Sequence, residues 1–319
     1  MARPPPDPIY IFRGLGSPVT AVKFITTGED RQRLLSGDQK GVVSIWDLTT
    51  KRAELTLNGH DDKSILNVDY LTDGEVLSHG RDGNVHIWCL GKLEIKSSLK
   101  VSDIGFCKCE IIYNLQCSNS ICLAVSSEDQ SQIDIVCLKT KKIITQLKAD
   151  SSKSFGMCMC LKNITKERPV LLAGYESGDV ILWDLGSSKM ISKLKVHNEP
   201  VMCIDFDNDL KRGITGSAED KLTVFKLTEE ESLQLENTVK IKNCGVSDVK
   251  IRGDCKIFAT AGWDCKLRVF SWKSLKPLAI LNYHTQTVNA LTFSNCSEQL
   301  LAAGSKDGRI SLWSLYKDN

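Results

Sequence analysis

Strong charge of one sign and long apolar runs are both missing from this chain. Its 319 residues carry 41 Lys and Arg against 39 Asp and Glu, a formal net charge of +2. So balanced a composition predicts no electrostatic attraction to nucleic acid or to an acidic membrane. No apolar run reaches the roughly 18–20 residues that a membrane helix needs, and the N-terminal MARPPPDPIY lacks the apolar core of a secretory signal. We therefore expect a soluble, cytoplasmic protein, with the nucleus left open because no basic cluster forms a clear nuclear address.

Sequence motifs of catalysis and cofactor binding are missing as well. The chain has no G-x-x-x-x-G-K-[ST] phosphate loop, no H-E-x-x-H zinc motif, no EF-hand loop and no G-x-S-x-G nucleophile elbow. Two Cys-x-Cys pairs occur among its 13 cysteines, Cys107 with Cys109 and Cys158 with Cys160. Neither pair has the usual zinc spacing with a second ligand pair, and free cysteine commonly packs as a small hydrophobe. The sequence predicts no enzyme activity, no cofactor and no metal site.

What the chain does contain is an internal repeat. Seven times a turn leads into an alternating apolar strand that ends on Trp or a substitute, as in SGDQKGVVSIWDL and AGSKDGRISLWSL. The final residues of the seven copies are Trp46, Trp88, Val136, Trp183, Phe225, Phe270 and Trp313. Their spacings of 42, 48, 47, 42, 45 and 43 residues are close to the period of about 40–45 residues of a four-stranded propeller blade. The repeat predicts an all-β fold of seven blades.

The two ends of the chain predict how the last blade is completed. Residues 9–24 align with the stretch that opens the second repeat, so the chain begins with an outer strand and stops after a third strand at 312–316. We expect residues 9–12 to pair with the last blade and close the ring, because this removes two open sheet edges. The predicted organisation is a Pro-rich tail over residues 1–8, a propeller over 9–316 and a C-terminal tail over 317–319.

Repeat copies such as SHGRDGNVHIWCL and AGYESGDVILWDL resemble the WD40 family over nearly the whole chain. The resemblance implies a seven-bladed WD40 β-propeller whose blades contain an internal hydrogen-bond chain of His, Ser or Thr, Asp and Trp. On the same resemblance, the second blade has the complete set of His60, Ser78, Asp82 and Trp88.

Three other blades match this set only in part. The seventh keeps His284, Asp307 and Trp313 but has Ala303 at the hydroxyl position, the fifth has His197 and Thr215 with Glu219 and Phe225, and the sixth has Thr260 and Asp264 with Phe270 and no His. A trio of His, Ser and Asp is also the composition of a hydrolase triad. Because the trio recurs with the repeat, we interpret it as a structural element that pairs buried polar groups.

Trp263 is a candidate partner-binding residue. It occupies a turn of the sixth blade where most copies have a small or polar residue, and an aromatic side chain on a loop is a plausible binding anchor. The alternative is that it packs on Trp272 or on a neighbouring loop. Lys266 and Arg268 nearby either contribute to a mild basic surface or, as we expect, are simply solvated.

A second candidate is the acidic stretch over residues 226–240. It takes the place of a short connection between repeats and contains Glu229, Glu230 and Glu231. We expect a loop here, which is either a tolerated surface insertion or a partner contact, since loops on a rigid scaffold often carry binding.

The stretches LLAGYESGDVILWD, HNEPVMCIDFD and LLAAGSKDGRISLWSLY resemble a family of WD40 proteins related to the fungal ASTRA-associated proteins. The resemblance implies a non-enzymatic scaffold that supports, with a co-chaperone assembly, the stability of phosphatidylinositol-3-kinase-related protein kinases, and so DNA-damage signalling. The partners that it implies are those kinases and their co-chaperone complex, bound by a monomeric propeller.

Two other functions are alternatives. G-protein β subunits carry a long N-terminal helix that pairs with a γ subunit, but here about eight residues precede the first strand and four of them are Pro, which opposes a helix. We therefore expect no γ subunit. Substrate receptors of cullin-type ubiquitin ligases often carry Arg two residues after a Trp-Asp pair. This chain has Thr49 and Gly186 at those positions, which counts against a ligase receptor and leaves it as an alternative.

Overall fold

The architecture comes from a computed structural model that describes residues 6–27, 31–72, 74–102, 104–113, 115, 121–129, 131–149, 155–164, 168–295 and 299–316. Regular structure in these residues consists of β-strands, and none of them lies in a helix long and apolar enough to cross a membrane. Of the predicted tails over 1–8 and 317–319, residues 1–5 and 317–319 fall outside the described residues.

The strands follow one another as blades of four. The first three blades are β2 (Val19–Thr27), β3 (Arg31–Asp38), β4 (Val42–Asp47), β5 (Arg52–Asn58); β6 (Ile65–Thr72), β7 (Glu75–Gly80), β8 (Asn84–Cys89), β9 (Glu94–Lys100); and β10 (Glu110–Tyr113), β11 (Ile121–Ser126), β12 (Ile133–Cys137), β13 (Ile143–Leu147). The next two are β14 (Cys158–Ile164), β15 (Val170–Tyr175), β16 (Asp179–Asp184), β17 (Lys189–Lys195); and β18 (Val201–Asp207), β19 (Arg212–Ser217), β20 (Lys221–Leu227), β21 (Leu233–Lys240). The last two are β22 (Val246–Ile251), β23 (Ile257–Gly262), β24 (Lys266–Ser271), β25 (Pro277–Asn282); and β26 (Val288–Phe293), β27 (Leu300–Ser305), β28 (Ile310–Ser314) with β1 (Tyr10–Phe12).

Each blade is a four-stranded sheet in which strands a, b, c and d are neighbours in chain order, and the seventh takes its d strand from the N-terminus. This confirms the predicted fold class, an all-β propeller of seven blades. The degenerate third repeat, which has Val136 in place of Trp, still forms a complete blade.

The blades fall into two compact units. One unit takes the chain up to Ser98 and again from Ser247 onward, and the other runs from Leu99 to Val246. The first, here called unit 1, holds blades 1, 2, 6 and 7, and unit 2 holds blades 3, 4 and 5, except that β9 and β22 cross the two boundaries.

Alternation of side chains between the two faces of a sheet explains why the repeat forms strands, and on β4 both faces are buried. On β4, Val43 and Ile45 are fully buried on one face of the sheet, as the period of two requires. The b–c turn before β4 needs Gly41, whose φ is +79° and whose position would bring a Cβ within 2.8 Å of the Lys63 carbonyl oxygen. Glycine supplies both the left-handed conformation and the space.

The N-terminal strand completes the seventh blade, as predicted. Strand β1 pairs antiparallel with β28, with Tyr10 opposite Leu312 and Phe12 opposite Ile310. Phe12 is buried and its ring centroid lies 5.2 Å from that of Trp46 in the first blade. The strand therefore covers an edge and also fills the core between blades 7 and 1.

The expected loop over residues 226–240 is wrong. Residues up to 227 belong to β20, residues 228–232 form a tight turn, and Leu233–Lys240 is β21, the d strand of the fifth blade. The turn is closed by a bond from the Thr228 amide to the Ser232 carbonyl, 3.0 Å. Its acidic residues lie at a regular c–d turn of the repeat.

Candidate functional site

The complete hydrogen-bond set of the second blade forms as the resemblance implied. His60 Nδ1 lies 2.9 Å from Asp82 Oδ1, and His60 Nε2 lies 2.7 Å from Ser78 Oγ. The indole N–H of Trp88 donates to the same Ser78 oxygen over 2.7 Å. Because a carboxylate only accepts, His60 Nδ1 carries the proton and His60 Nε2 accepts from the Ser78 hydroxyl. Each donor in this set therefore faces an acceptor.

The side chains of this hydrogen-bond set are shielded from solvent. Ser78 is fully buried and His60 almost so, and desolvation lowers the pKa of His60 even though Asp82 opposes the shift. The bonds from Asp82 through His60 to Ser78 follow the order of a hydrolase triad, but the Ser78 oxygen is buried and already accepts from the Trp88 indole.

The seventh blade builds the same set with a different hydroxyl. His284 Nδ1 lies 2.9 Å from Asp307 Oδ2, and its Nε2 lies 2.8 Å from Ser311 Oγ. The Trp313 indole N–H donates to that oxygen over 2.8 Å. Ser311 is the cross-strand partner of Ala303, so the hydroxyl reaches the same place from strand c. Ser311 was not predicted because the family pattern places this hydroxyl on strand b, where the seventh blade has Ala303.

The fifth blade keeps the geometry with substitutes. His197 Nδ1 lies 2.8 Å from Glu219 Oε2 and its Nε2 lies 3.0 Å from Thr215 Oγ1. Phe225 fills the place of Trp without an N–H. The longer glutamate therefore takes the role of the aspartate.

The sixth blade replaces histidine with arginine. Arg268 donates to Asp264 through two nitrogens, over 3.0 and 2.6 Å. The side chain is 5% exposed, so the expectation that Arg268 is solvated is wrong. A bidentate pair with a carboxylate satisfies a buried guanidinium. Asp264 holds the same turn position as Asp82 and Asp307, the aspartates that orient histidine in the second and seventh blades.

Within unit 1, the side chains of His60, Asp82 and His86 together have the composition of a metal site. The His86 ring nitrogens lie 2.8 Å from Ser98 Oγ and 2.8 Å from the Gly59 carbonyl oxygen. Both ring nitrogens of His60 are also paired. An ion would have to break bonds that hold the blade together, and these residues are better explained as structure.

The Cys-x-Cys residues are buried in the core of unit 2, as the packing interpretation predicts. Cys107 Sγ lies 3.8 Å from Cys158 Sγ. The pKa of Cys107 is raised by its contact with that thiol and by burial. A buried thiol of high pKa is a poor nucleophile.

Trp263 is exposed to 43% of its surface. It is the first residue of the b–c turn between β23 and β24, the position held by Arg81 in the second blade and Lys306 in the seventh, and both of these are exposed too. The next residue of each turn is the aspartate that points inward. Trp272, by contrast, is fully buried and packs edge-on against Phe258. The turn itself directs the Trp263 side chain outward.

The acidic turn is partly neutralised by neighbours in unit 2. Glu229 pairs with Lys211 over 2.6 Å, and Glu231 pairs with Arg168, which also holds Asp184 at 2.6 Å. Glu230 is exposed. Of the three glutamates proposed from sequence, Glu229 and Glu231 are both paired, and Glu229 and Glu230 are the more exposed.

Comparison with known proteins adds a full-length similarity. The family model described as WD domain, G-beta repeat matches residues 52–89, 234–271 and 275–314. The chain is 40% identical over 321 residues to guanine nucleotide-binding protein subunit beta-like protein 1 of Mus musculus, which covers 98% of this chain and 97% of that protein. It is 29% identical to ASTRA-associated protein 1 of Schizosaccharomyces pombe and 28% identical to that of Schizosaccharomyces japonicus, each over 98% of this chain and 99% of the relative.

Proposed function

Because the chain belongs to the WD40 family, and within it to the family of guanine nucleotide-binding protein subunit beta-like protein 1, we propose that it is a non-enzymatic adaptor. Its task is to support the co-chaperone-dependent stability and assembly of phosphatidylinositol-3-kinase-related protein kinases, and through them DNA-damage signalling. It acts as a monomer in the cytoplasm and the nucleus.

The observation that carries the proposal is the full-length similarity to relatives named ASTRA-associated protein 1. It spans 98% of this chain, including the degenerate third blade, and so extends beyond the segments that match the repeat. The name of those relatives describes association with another assembly, which is the work of an adaptor.

The use of the polar side chains supports a scaffold rather than an enzyme. His60, His197 and His284 each have both ring nitrogens bonded inside a blade. Reactive groups held in this way stabilise the blades, and the loops between them are left to contact partners.

Affinity purification of the tagged full-length chain from cells, with mass spectrometry of the proteins that it retains, tests this function. We expect the large kinases and their co-chaperones. A matched purification of the Trp88→Ala variant, which weakens the second blade, controls for capture by unfolded protein. A γ subunit or a cullin adaptor in place of the kinases would contradict the proposal.

A further inference from the structure

Unit 1 carries a continuous row of loops along one end of its blades. The Lys306 amide donates to the Thr287 carbonyl over 2.9 Å, and the Thr287 hydroxyl donates to the Trp263 carbonyl over 3.4 Å. These contacts join the b–c turn of the sixth blade to that of the seventh.

The row continues from the seventh blade into the first and second. A Cβ placed on Gly308 would lie 3.3 Å from the Ser17 carbonyl oxygen, and the Gln39 amide donates to the Pro18 carbonyl over 2.9 Å. The Gly41 backbone abuts the Lys63 carbonyl, and the Arg81 amide donates to the Ser64 carbonyl over 2.8 Å. Residues 13–18, 38–41, 59–64, 80–83, 262–265, 283–287 and 305–308 thus form one surface, here called the unit 1 rim.

Exposed charge on the unit 1 rim is mainly positive. The exposed cations are Arg13, Lys40, Lys63, Arg81 and Lys306, and the exposed carboxylates are Asp61 and Asp62. Five cations therefore face solvent against two carboxylates, although the chain as a whole is nearly neutral.

The hydrogen-bond sets explain this excess. Asp82 and Asp307 turn inward to histidines, and Asp264 turns inward to Arg268. Asp38 is 2% exposed and accepts from the Lys40 and Val42 amides, each over 2.9 Å. The repeat directs its turn carboxylates into the blades and leaves the neighbouring cations outside, so an approaching partner meets positive side chains.

Trp263 adds an apolar contact to the same surface, because its carbonyl bonds Thr287 directly beside Lys306. Aromatic side chains are frequent anchors of protein interfaces, and surrounding cations select and steer an acidic partner. We propose that the unit 1 rim docks an acidic peptide segment of a partner protein, with an apolar residue of that segment against Trp263.

The composition of the surface favours a peptide over nucleic acid. Proteins that track a single strand of nucleic acid use a series of aromatic side chains for base stacking, and on the unit 1 rim only Trp263 is an exposed aromatic residue, since Tyr283 is half-buried. The carboxylates of Asp61 and Asp62 also interrupt the row of cations next to Lys63, and these two negative charges would repel the phosphates of a nucleic-acid strand.

Purified full-length protein and defined probes test the proposal by fluorescence anisotropy. The probe is a fluorescein-labelled peptide of alternating Glu and Ser around a central Leu-Phe pair, and its control has Gln in place of Glu. The rim variant is Lys40→Glu/Lys63→Glu/Lys306→Glu. Its matched control, Lys92→Glu/Lys273→Glu/Lys276→Glu, changes the same charge on exposed lysines at the c–d turns of unit 1.

We expect the wild type and the control variant to bind the acidic probe, with the rim variant weaker by about tenfold or more. The Gln probe should not bind. Trp263→Ala should weaken binding severalfold, whereas Leu278→Ala, which removes another exposed apolar side chain, should not. Equal binding by the two lysine variants, or no binding of the acidic probe to the wild type, would overturn the proposal.

A labelled single-stranded oligonucleotide serves as the competing ligand. Binding of the oligonucleotide as tight as that of the peptide, and lost in the rim variant, would identify the surface as a nucleic-acid site and overturn the peptide proposal. The inference rests on the proposed adaptor role, but its test uses no cellular partner. A purification that fails to retain the kinases would contradict the adaptor role but leave the peptide-binding result unchanged. A failure of peptide binding would likewise leave the purification result unchanged.

Discussion

Ala303 and Ser311 face each other across the β27–β28 ladder, and the hydroxyl that the repeat places on strand b is carried here by strand c. Ser311 Oγ lies 2.8 Å from His284 Nε2, the same contact that Ser78 makes with His60 in the second blade. The second and seventh blades therefore place the hydroxyl oxygen at the same point of the hydrogen-bond set, although it comes from different residues of the repeat.

Ser311→Ala should destabilise the seventh blade. It leaves the buried His284 Nε2 and the Trp313 indole N–H without their shared partner. Buried polar groups left unpaired cost about 1–3 kcal/mol, which urea denaturation measures. The double variant Ala303→Ser/Ser311→Ala returns a hydroxyl from the other strand and should recover part of the loss. No recovery would show that the oxygen position is not what matters.

Asp82→Ala should lower the free energy of unfolding by about 1–3 kcal/mol. Asp82 accepts from His60 and, over 2.7 Å, from the Asn84 side-chain amide. Thermal melting followed by circular dichroism measures the effect, and Asp61→Ala, on an exposed carboxylate of the adjacent loop, is the control. If the two variants melted alike, the role of Asp82 in holding the blade would be wrong.

Stability should fall as the pH drops below about 6.5, the ordinary pKa of histidine. Burial, together with the charge of His60, lowers the pKa of His79 to about 4, and burial also lowers the pKa values of His197 and His284. The unfolded chain then binds more protons than the folded one, so acid favours unfolding, by up to about 1.4 kcal/mol per pH unit for each such group. Below the folded pKa the effect levels off.

Urea denaturation at pH 7.5 and at pH 5.5 measures this dependence. The His79→Asn variant should show a smaller difference between the two pH values than the wild type, because one depressed group no longer titrates. Equal unfolding free energies of the wild type at both pH values would contradict the account.

Removal of the first thirteen residues should destabilise the protein strongly, because β28 loses one of its two neighbouring strands and the buried ring of Phe12 leaves the core. The single change Phe12→Ala isolates the packing part and should cost about 3–5 kcal/mol. Ile9→Ala is the control, since Ile9 is 50% exposed. A truncated chain that melted like the full one would show that β1 is dispensable.

Much of the fold was predictable because its signals are local. The period-two apolar pattern that places Val43 and Ile45 on one face of β4, and the turn glycine before them, are visible in the sequence itself. The pairing of β1 with β28 followed from counting strands at the two ends of the chain. These features depend on spacing along the chain.

The rest needed the positions of residues far apart in the chain. β21 was missed because a d strand exposes most of its side chains and shows little alternation, so it has the composition of a loop. Ser311 and Arg268 were missed because each replaces a residue on another strand or in another loop, and such a replacement is visible only once the register is known.

Abundance of the phosphatidylinositol-3-kinase-related kinases in cells depleted of this protein tests the central claim most directly. Immunoblotting, with the messenger RNA of each kinase measured in parallel, should show the kinase proteins falling while their messages stay constant. Re-expression of the wild type or of the Lys92→Glu/Lys273→Glu/Lys276→Glu variant should restore them. Kinase levels that do not change on depletion would contradict the proposed adaptor function.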